Sequence, residues 1–511
     1  MSKIHITYCI IFFVIVFNAS GKETITGTVF TDTNKNGFFD LNEKGIEGVC
    51  VSNGKDVVLT NSRGEWKLSV EEDFNVFVIK PSGYSVPLNE KFIPQYSFHG
   101  NKNSNIPESI NFPLTAETEN KRFSVLFFGD TQARGLKEVD YIYHDVVDEL
   151  IGTDAAFGIS LGDNVADEPE LMDEISKGIA QIGIPWYNTF GNHDNDRDAL
   201  SNAERDDTFE NLFGPSTYAF EYGEVVFIAL NNIYFKPGGK YYPHLTENQI
   251  SFVRNYLDNV PNNKLVVLYM HAPIVSCDNR EFIYKIIEKR EHCFSVSGHV
   301  HEQINVFVNK EMGWNGKKDH HHLINATVCG SWWCGAKDEL SIPHATMNDG
   351  APNGYSIVTF DGNSYEVRFK AARRDDNYQM NIYVPNEIET AALDTAKVLV
   401  NVFAGSERST VEMQIDQKGE WIPLKPIKTI DPECLRMHKL SPYLKENVKG
   451  VNLDELFGYT MDYPSISQHM WQAPLPENIG EGTHAVTVRT TDMYNNRWKA
   501  HRVFRVGESK Q

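Results

Sequence analysis

Continuous apolar runs alternate with amphipathic stretches through the middle of the chain. Residues 123–128, 155–161, 225–230, 265–270 and 293–297 are short, strongly apolar and bounded by Gly, Asp, Asn or Ser. Such runs predict strands buried on both faces. Between them, apolar residues recur at helical spacing over 136–150, 170–182, 246–257 and 279–289. The alternation predicts an α/β region whose sheets are covered by helices.

The pattern changes at both ends. Short β-branched runs at 24–30, 48–51, 56–60, 65–70 and 75–79, separated by turn residues, predict a small β-sandwich over 22–118. Within it, residues 83–118 carry Pro, Asn and Ser and read as an extended connection. Runs at 398–402, 410–415, 484–490 and 498–506 predict a second β-sandwich over 373–511.

The first 21 residues have the layout of a secretory signal. Lys3 precedes the apolar run 6–17, and Ala19-Ser20-Gly21 supplies the small residues that a signal peptidase reads. The run is shorter than the ~20 residues that span a bilayer. An exported protein is expected, periplasmic, cell-surface or secreted, with no transmembrane segment in the mature chain. Of seven cysteines, Cys9 lies in the leader. Cys277 with Cys293, and Cys329 with Cys334, are the local disulfide pairs that an oxidising compartment permits; Cys50, Cys434 and these four as buried thiols are the equal alternative.

The composition, 41% hydrophobic and 23% charged over 511 residues, is globular and calls for several domains. The formal net charge of −21 opposes association with nucleic acid or an anionic bilayer. A phosphorylated substrate stays possible, because bound metal reverses the sign locally.

Five polar motifs occur in order: Gly129-Asp130-Thr131-Gln132, Gly162-Asp163-Asn164, Gly191-Asn192-His193-Asp194, Met270-His271-Ala272-Pro273 and Gly298-His299-Val300-His301. Most follow an apolar run. A lone Asp before a turn is usually a turn former, and a lone His usually packs or faces water. Five such motifs at strand ends point instead to one centre. Carboxylate, amide oxygen and imidazole suit hard or borderline divalent ions. There are enough donors for two ions, and a cation pair clamping one phosphorus centre is a route to phosphate-ester hydrolysis.

The series Asp-x-(His or Gln), Gly-Asp-Asn, Gly-Asn-His-Asp, His, Gly-His-x-His resembles the calcineurin-like metallophosphoesterase superfamily, over roughly residues 122–370. The flanking β regions resemble accessory domains of some exported bacterial members. The resemblance implies a two-sheet αββα sandwich over 119–372, between all-β sandwich domains over 22–118 and 373–511. It implies that Asp130 and His301 bind one metal, that Asn192, His271 and His299 bind the other, and that Asp163 bridges both. A bridging water, acidified to hydroxide, would attack phosphorus in line. His193 would donate a proton to the leaving oxygen, and Asp194 would orient or charge that imidazole. Gln132 stands where many members carry His. As a neutral oxygen ligand it favours Mn²⁺ or Mg²⁺ over Zn²⁺, so Mn is preferred among Mn, Zn, Mg and Fe. No Tyr occupies the place of the ferric ligand of purple acid phosphatases.

Around this centre, Arg134 is a candidate phosphate contact and Asn164 a hydrogen-bonding neighbour of the metals. His344 and the turn-rich loop 348–355 are candidates to close over the site. Trp332 and Trp333 are either a sugar or base platform or core. His320-His321-His322 reads as a solvated loop. Separately, Asp32, Asn34, Asn36, Phe38 (through its backbone carbonyl), Asp40 and Glu43, with Gly37 at the sharp turn, fit a calcium-loop template without flanking helices.

The expected activity is hydrolysis of a phosphorylated small molecule or envelope polymer, with no nucleic-acid complex. A diester is preferred, because His193 suits a poor leaving group and no basic cluster grips a dianion. A phosphomonoesterase or nucleotidase, or a cell-surface binding protein with a vestigial hydrolase domain, are the alternatives.

Overall fold

The computed structural model describes residues 23–71, 73–100, 107–450 and 452–508. The expected leader lies outside them. Among the described residues, no helix is long and apolar enough to cross a membrane.

The central region is built on two sheets. One has five strands in the order Trp186–Asn188, Phe157–Ser160, Arg122–Phe128, Gly354–Asp361, Ser364–Ala371. The other has six, in the order Tyr218–Tyr222, Val225–Leu230, Leu265–Met270, Cys293–Ser297, His320–Ile324, Ile304–Val308. Side-chain alternation explains the layering. Phe123, Val125 and Phe127 join the core between the sheets, with Phe157, Phe227, Val267 and Phe360. Leu126 and Phe128 point the other way, onto Val139, Ile142, Met172, Ile175 and Ile179 of the outer helices. Helices Glu247–Leu257 and Glu281–Ile287 cover the six-stranded sheet. The expected αββα sandwich is present. The strands that precede the five motifs run parallel within their sheets. Their carboxyl ends therefore meet at one edge, where α/β folds place their chemistry.

The amino-terminal region forms two four-stranded sheets. Residues 83–118 are not a mere connection: Tyr84–Ser85, Ser97–Gly100 and Phe112–Ala116 complete these sheets. Phe112–Ala116 pairs in parallel with Glu23–Thr31. Strands this short, interrupted by Pro, carry little periodic signal. The region shares a core with the sandwich, with ring contacts from Phe77 to Phe252 and from Tyr96 to Tyr218 at 5.6 and 5.1 Å.

The carboxy-terminal region has a four-stranded and a five-stranded sheet, as the β pattern predicts. It is not all-β, because helix Pro432–Asn447 is inserted. The Asp431 side chain accepts from the backbone N–H groups of Glu433 and Cys434, and Pro432 opens the first turn, both helix-start signals.

Two further expectations are corrected. His320, His321 and His322 lie not in a solvated loop but in the buried strand His320–Ile324. Ser295 Oγ bonds both His320 Nε2 and His322 Nδ1, at 2.7 and 2.8 Å, and His321 bonds Tyr365 and Asn305. Burial lowers His320 to about 4 and His321 to about 3, so both are neutral at pH 7. The six cysteines from Cys50 onward are all free thiols. Cys277 accepts from Asn232 Nδ2 while Cys293 faces the Ile287 carbonyl, so that pair is engaged elsewhere.

Candidate metal centre

Asp130, Asp163, Asn192, His271 and His301 are buried at the shared strand edge, and His299 is half-buried. His271 follows Leu265–Met270 directly. Its Nε2 lies 3.1 Å from Asp163 Oδ2, 3.1 Å from Asn192 Oδ1 and 3.1 Å from His299 Nδ1. Donor atoms of Asp163, His271 and His299 fall within 4.8 Å of one another. On the adjoining side, His301 Nε2 is 3.6 Å from Asp130 Oδ1. The expected ligands thus gather into two groups, Asp163 with Asn192, His271 and His299, and Asp130 with His301, linked by the His299 N–H, which donates to Asp130 Oδ2 at 2.9 Å.

The donor chemistry fits cations. His271 Nδ1 bonds the Leu161 carbonyl at 2.9 Å, and His301 Nδ1 bonds the Gly330 carbonyl at 2.5 Å. Each Nδ1 therefore carries a proton, and in the neutral ring each Nε2 presents a lone pair to carboxylate oxygen. Lone pairs facing anions repel unless a positive charge lies between them. Without metal, a proton serves on the His271 side. Burial disfavours its charge, but Asp163 and Asp130 outweigh this and raise His271 to about 9. Burial opposes the Asp163 anion too, yet His271 holds its carboxyl well below the usual range. Burial, followed by repulsion from His271, lowers His299 to about 3. Burial alone is the leading cause that takes His301 to about 4. Both remain lone-pair donors. Metal binding would displace the His271 proton.

The backbone is bent to make this cluster. Asp130, Gln132, Asp163, His299 and His301 have φ of +40°, +44°, +48°, +76° and +57°, in the left-handed region that non-glycine residues avoid. Two motif glycines have steric reasons. A Cβ on Gly191 would sit 2.1 Å from Asp163 N, and one on Gly298 would sit 2.3 Å from Asp130 Oδ2.

The Gln132 amide turns its nitrogen, not its oxygen, toward Asp163. Its Nε2 donates to Asp163 Oδ2 at 3.1 Å, and its oxygen faces Cys329 Sγ at 3.5 Å. It holds the shared carboxylate in place. His193 is half-buried at the edge of the cluster, and its backbone N–H donates to Asp163 Oδ1 at 2.8 Å. Its carboxylate partner is Asp167, not Asp194. Asp167 Oδ1 lies 2.7 Å from His193 Nδ1, while Arg197 pairs with Oδ2. Asp194 turns inward and accepts from Gly191 N, Val165 N and Asn164 Nδ2. Burial, then Asp163, pushes its carboxyl upward against the Gly191 and Val165 N–H bonds. Adjacent residues on a tight turn diverge, which is why sequence adjacency misleads here.

The outlying candidates separate. Asn164 is committed to the Thr189 carbonyl and Asp194, so it is scaffold. Arg134 bonds Glu138 and the Trp332 carbonyl. His344 is exposed and lines a different cleft, with Arg374, Arg436 and Tyr383. Loop 348–355 packs beside the centre, where Asn348 N–H donates to the His301 carbonyl at 3.1 Å. Trp333 is core, its Nε1 bonded to the Thr131 carbonyl. Trp332 stands next to His193 and His301. In the amino-terminal loop, Asn34 and Asn36 Nδ2 donate to Asp40 Oδ2 at 2.8 and 3.0 Å, and Gly37 N–H donates to Asp32 Oδ2 at 2.8 Å. Thr33 and Asp40 N–H groups hold the Glu43 carboxylate.

Two helix-covered sheets with clustered carboxylate, amide and imidazole donors at their strand ends define a metal-dependent phosphoesterase. Residues 123–303 match the family model for calcineurin-like phosphoesterase, residues 32–117 that for the N terminal of calcineurin-like phosphoesterase, and residues 322–498 that for its C terminal. The chain belongs to the calcineurin-like phosphoesterase family. No curated protein sequence matches it. Among solved structures, it is similar to the purple acid phosphatase PPD1 from yellow lupin (Lupinus luteus) seeds, at 12% identity and a TM-score of 0.36. That alignment covers 65% of this chain and 68% of the other. The C-terminal match starts inside the six-stranded sheet and includes both Gly354–Asp361 and Ser364–Ala371, strands of the sandwich itself.

Proposed function

We propose that the protein hydrolyses phosphodiesters, with His193 delivering the proton to the leaving oxygen. Asp130 and His301 would hold one divalent ion, Asn192, His271 and His299 a second, and Asp163 would serve both. Bound there, the ions would supply Lewis-acid charge to phosphoryl oxygens and an acidified water. The protein's own part is positional. Gln132 and the His193 N–H orient the Asp163 carboxylate. Asp167 fixes the His193 ring through Nδ1, leaving Nε2 for a substrate oxygen.

The single observation behind the diester reading is the commitment of the nearby arginines. Arg197 pairs with Asp167, and Arg134 with Glu138, so neither is free to grip the extra charge of a monoester. The alkoxide that a diester expels is a poor leaving group and gains from a positioned acid. Manganese is the ion we favour, for a set of three oxygen and three imidazole donors that holds no thiolate. A chromogenic diester and the corresponding monoester, assayed with Mn²⁺, Mg²⁺ and Zn²⁺ in turn, test the reading. A faster diester supports it; a faster monoester reverses the preference, and no turnover on either returns the chain to a binding role.

Export and a structural calcium ion at Asp32, Asn34, Asn36, Phe38, Asp40 and Glu43 belong to the same reading. What supports the calcium site is the template spacing, in a turn where Asp32, Asp40 and Glu43 each accept from groups of the same loop. Calcium titration of the full chain should raise its melting temperature, and Asp32→Ala should abolish the increment; an unchanged midpoint excludes the site.

A further inference from the structure

We propose that the carboxy-terminal region is a working part of the catalytic centre: Tyr459, acting through the Arg134 guanidinium, clamps Trp332, and Trp332 positions both His193 and His301. The inference rests on the phosphoesterase reading and on the role given there to His193.

The Trp332 ring centroid lies 4.9 Å from that of His193, edge to face at 86°. It lies 5.6 Å from that of His301, nearly parallel at 11°. Both are spacings of packed aromatic rings, so a displaced indole would displace the proton donor and a metal ligand together. Trp332 does not keep this place through its own backbone. Its φ is +63° and that of Trp333 is +53°, a region that bulky residues avoid. Contacts from outside the loop must therefore hold it.

Arg134 is the main one. Its NH1 donates to the Trp332 carbonyl at 2.9 Å, and its guanidinium lies 5.0 Å from the Trp332 ring centroid. Glu138 fixes Arg134 from the helix side, accepting from its backbone N–H at 2.7 Å and from NH1 at 3.2 Å. Tyr459 closes the stack, with its ring centroid 3.9 Å from the guanidinium carbon. Only a planar cation can lie between two rings in this way, so lysine is not an equivalent.

Tyr459 is brought there by backbone pairing. Gly335 N–H donates to the Tyr459 carbonyl at 3.0 Å, Gly458 N–H to Gly335 at 2.8 Å, and Lys337 N–H to Leu456 at 2.9 Å. The same carboxy-terminal stretch grips the far side of the loop. Ser465 N–H donates to the Asn348 carbonyl, and the Asn348 side chain accepts from Ser331 Oγ, next to Trp332. Tyr459 itself is 54% exposed. A ring that open contributes little to folding, so its removal should be felt in turnover. Tyr459, Arg134 and Trp332 are positioning residues; none is required to touch the substrate.

The test uses full-length, metal-loaded protein and diphenyl phosphate, whose unactivated leaving oxygen needs the proton that His193 would deliver. Tyr459→Ala should lower kcat by about 3- to 30-fold, the range expected for losing one cation–ring contact. At saturating metal, KM and Tm should stay at wild-type values, while metal affinity should fall, because Trp332 also packs on the proposed ligand His301. Tyr459→Phe should remain within about twofold, because the face of the ring acts rather than the hydroxyl. Arg134→Lys should fall like Tyr459→Ala. Wild-type kcat in Tyr459→Ala, equal losses in the Ala and Phe variants, or a kcat that returns to wild type once metal is saturating would overturn the proposal. A wild-type enzyme with no turnover on any metal would instead remove the phosphoesterase reading on which it rests.

Discussion

Replacing Asp167 by Asn isolates the partner of the proposed acid without touching a metal ligand. In the native protein, Asp167 Oδ1 is 2.7 Å from His193 Nδ1, and the two side chains are 26% and 22% exposed. A hydrogen bond to a charged group is worth about 1.5–3 kcal/mol, and the partial exposure places this one toward the lower half of that range. Asparagine keeps the size and can still accept through its amide oxygen, but it carries no charge to stabilise the ring. If His193 is held for proton delivery, most of the energy should appear in the transition state. The expected loss is about 10- to 40-fold in kcat, at roughly 1.4 kcal/mol per decade. KM and metal content should not move, since Asp163, His271 and His299 are untouched. Steady-state rates on a diester, paired with elemental analysis of each preparation, measure both quantities. A rate within twofold of wild type would refute the dyad, and a loss proportional to missing metal would show that Asp167 acts on the site's assembly instead. Asp194→Asn is the contrast. It should cost stability through the Gly191, Val165 and Asn164 bonds, as a lower Tm, with surviving folded protein still active.

The other predictions follow from the same geometry. Asp163→Asn should lose metal and activity together, by elemental analysis and assay, since it removes the anion proposed to serve both ions; retention of either contradicts that role. Chelation should abolish turnover and Mn²⁺ should restore it; activity persisting after exhaustive chelation would exclude a metal requirement. His469→Ala breaks a buried contact, 2.9 Å from Asp349, that joins the carboxy-terminal region to loop 348–353. It should cost about 3–5 kcal/mol in denaturant unfolding, and a midpoint shift near zero would show the two regions to be docked elsewhere. Acid should destabilise the fold through the buried histidines. His320 and His321, at about 4 and 3, lie below the ordinary 6.5, so the unfolded chain binds more protons. The stability they confer is complete above pH 6.5 and is lost as pH falls toward 4 and then 3. His321→Phe should flatten that acid limb in denaturation midpoints measured from pH 7 to pH 4; an unchanged slope would mean that His321 is not the titrating group.

The clustering of the candidate ligands was legible because each motif is local. A strand ends, the chain turns, and the donor sits on the turn, so a few adjacent letters carry the signal. What escaped was set by three-dimensional packing. Asp167 lies four residues past Asp163 in a stretch without motif character, and only its φ of +94° and its contact with His193 reveal it. Asp194 was attractive because it adjoins His193, but the turn sends its carboxylate inward. Gln132 was read by its oxygen, whereas its amide nitrogen faces Asp163. His320-His321-His322 looked soluble beside Lys317, Lys318 and Asp319; serine and tyrosine partners from other strands make the histidines tolerable inside. The Gly330–Trp333 loop, which supports His301 and His193, comes from a segment with no catalytic letters at all. Its signal was steric: a Cβ on Gly330 would lie 1.4 Å from the Ala345 carbonyl oxygen.

The strained residues also explain why the flanking regions cannot be dispensable ornaments. Asp130, Gln132, Asp163, Asp167, His299, His301 and Trp332 all have φ between +40° and +94°. Each such position costs on the order of 1–3 kcal/mol, so the centre would relax unless neighbouring structure over-determines it. The sandwich supplies part of that constraint through Gly191 and Gly298. The rest comes from outside it. His469 and Asn401 of the carboxy-terminal region grip Asp349, whose neighbour Asn348 bonds the His301 carbonyl. Removing that region would leave the metal ligands in sequence but free the backbone that aims them. Metal affinity should therefore fall even though no ligand is lost, a result that a detachable accessory domain could not produce.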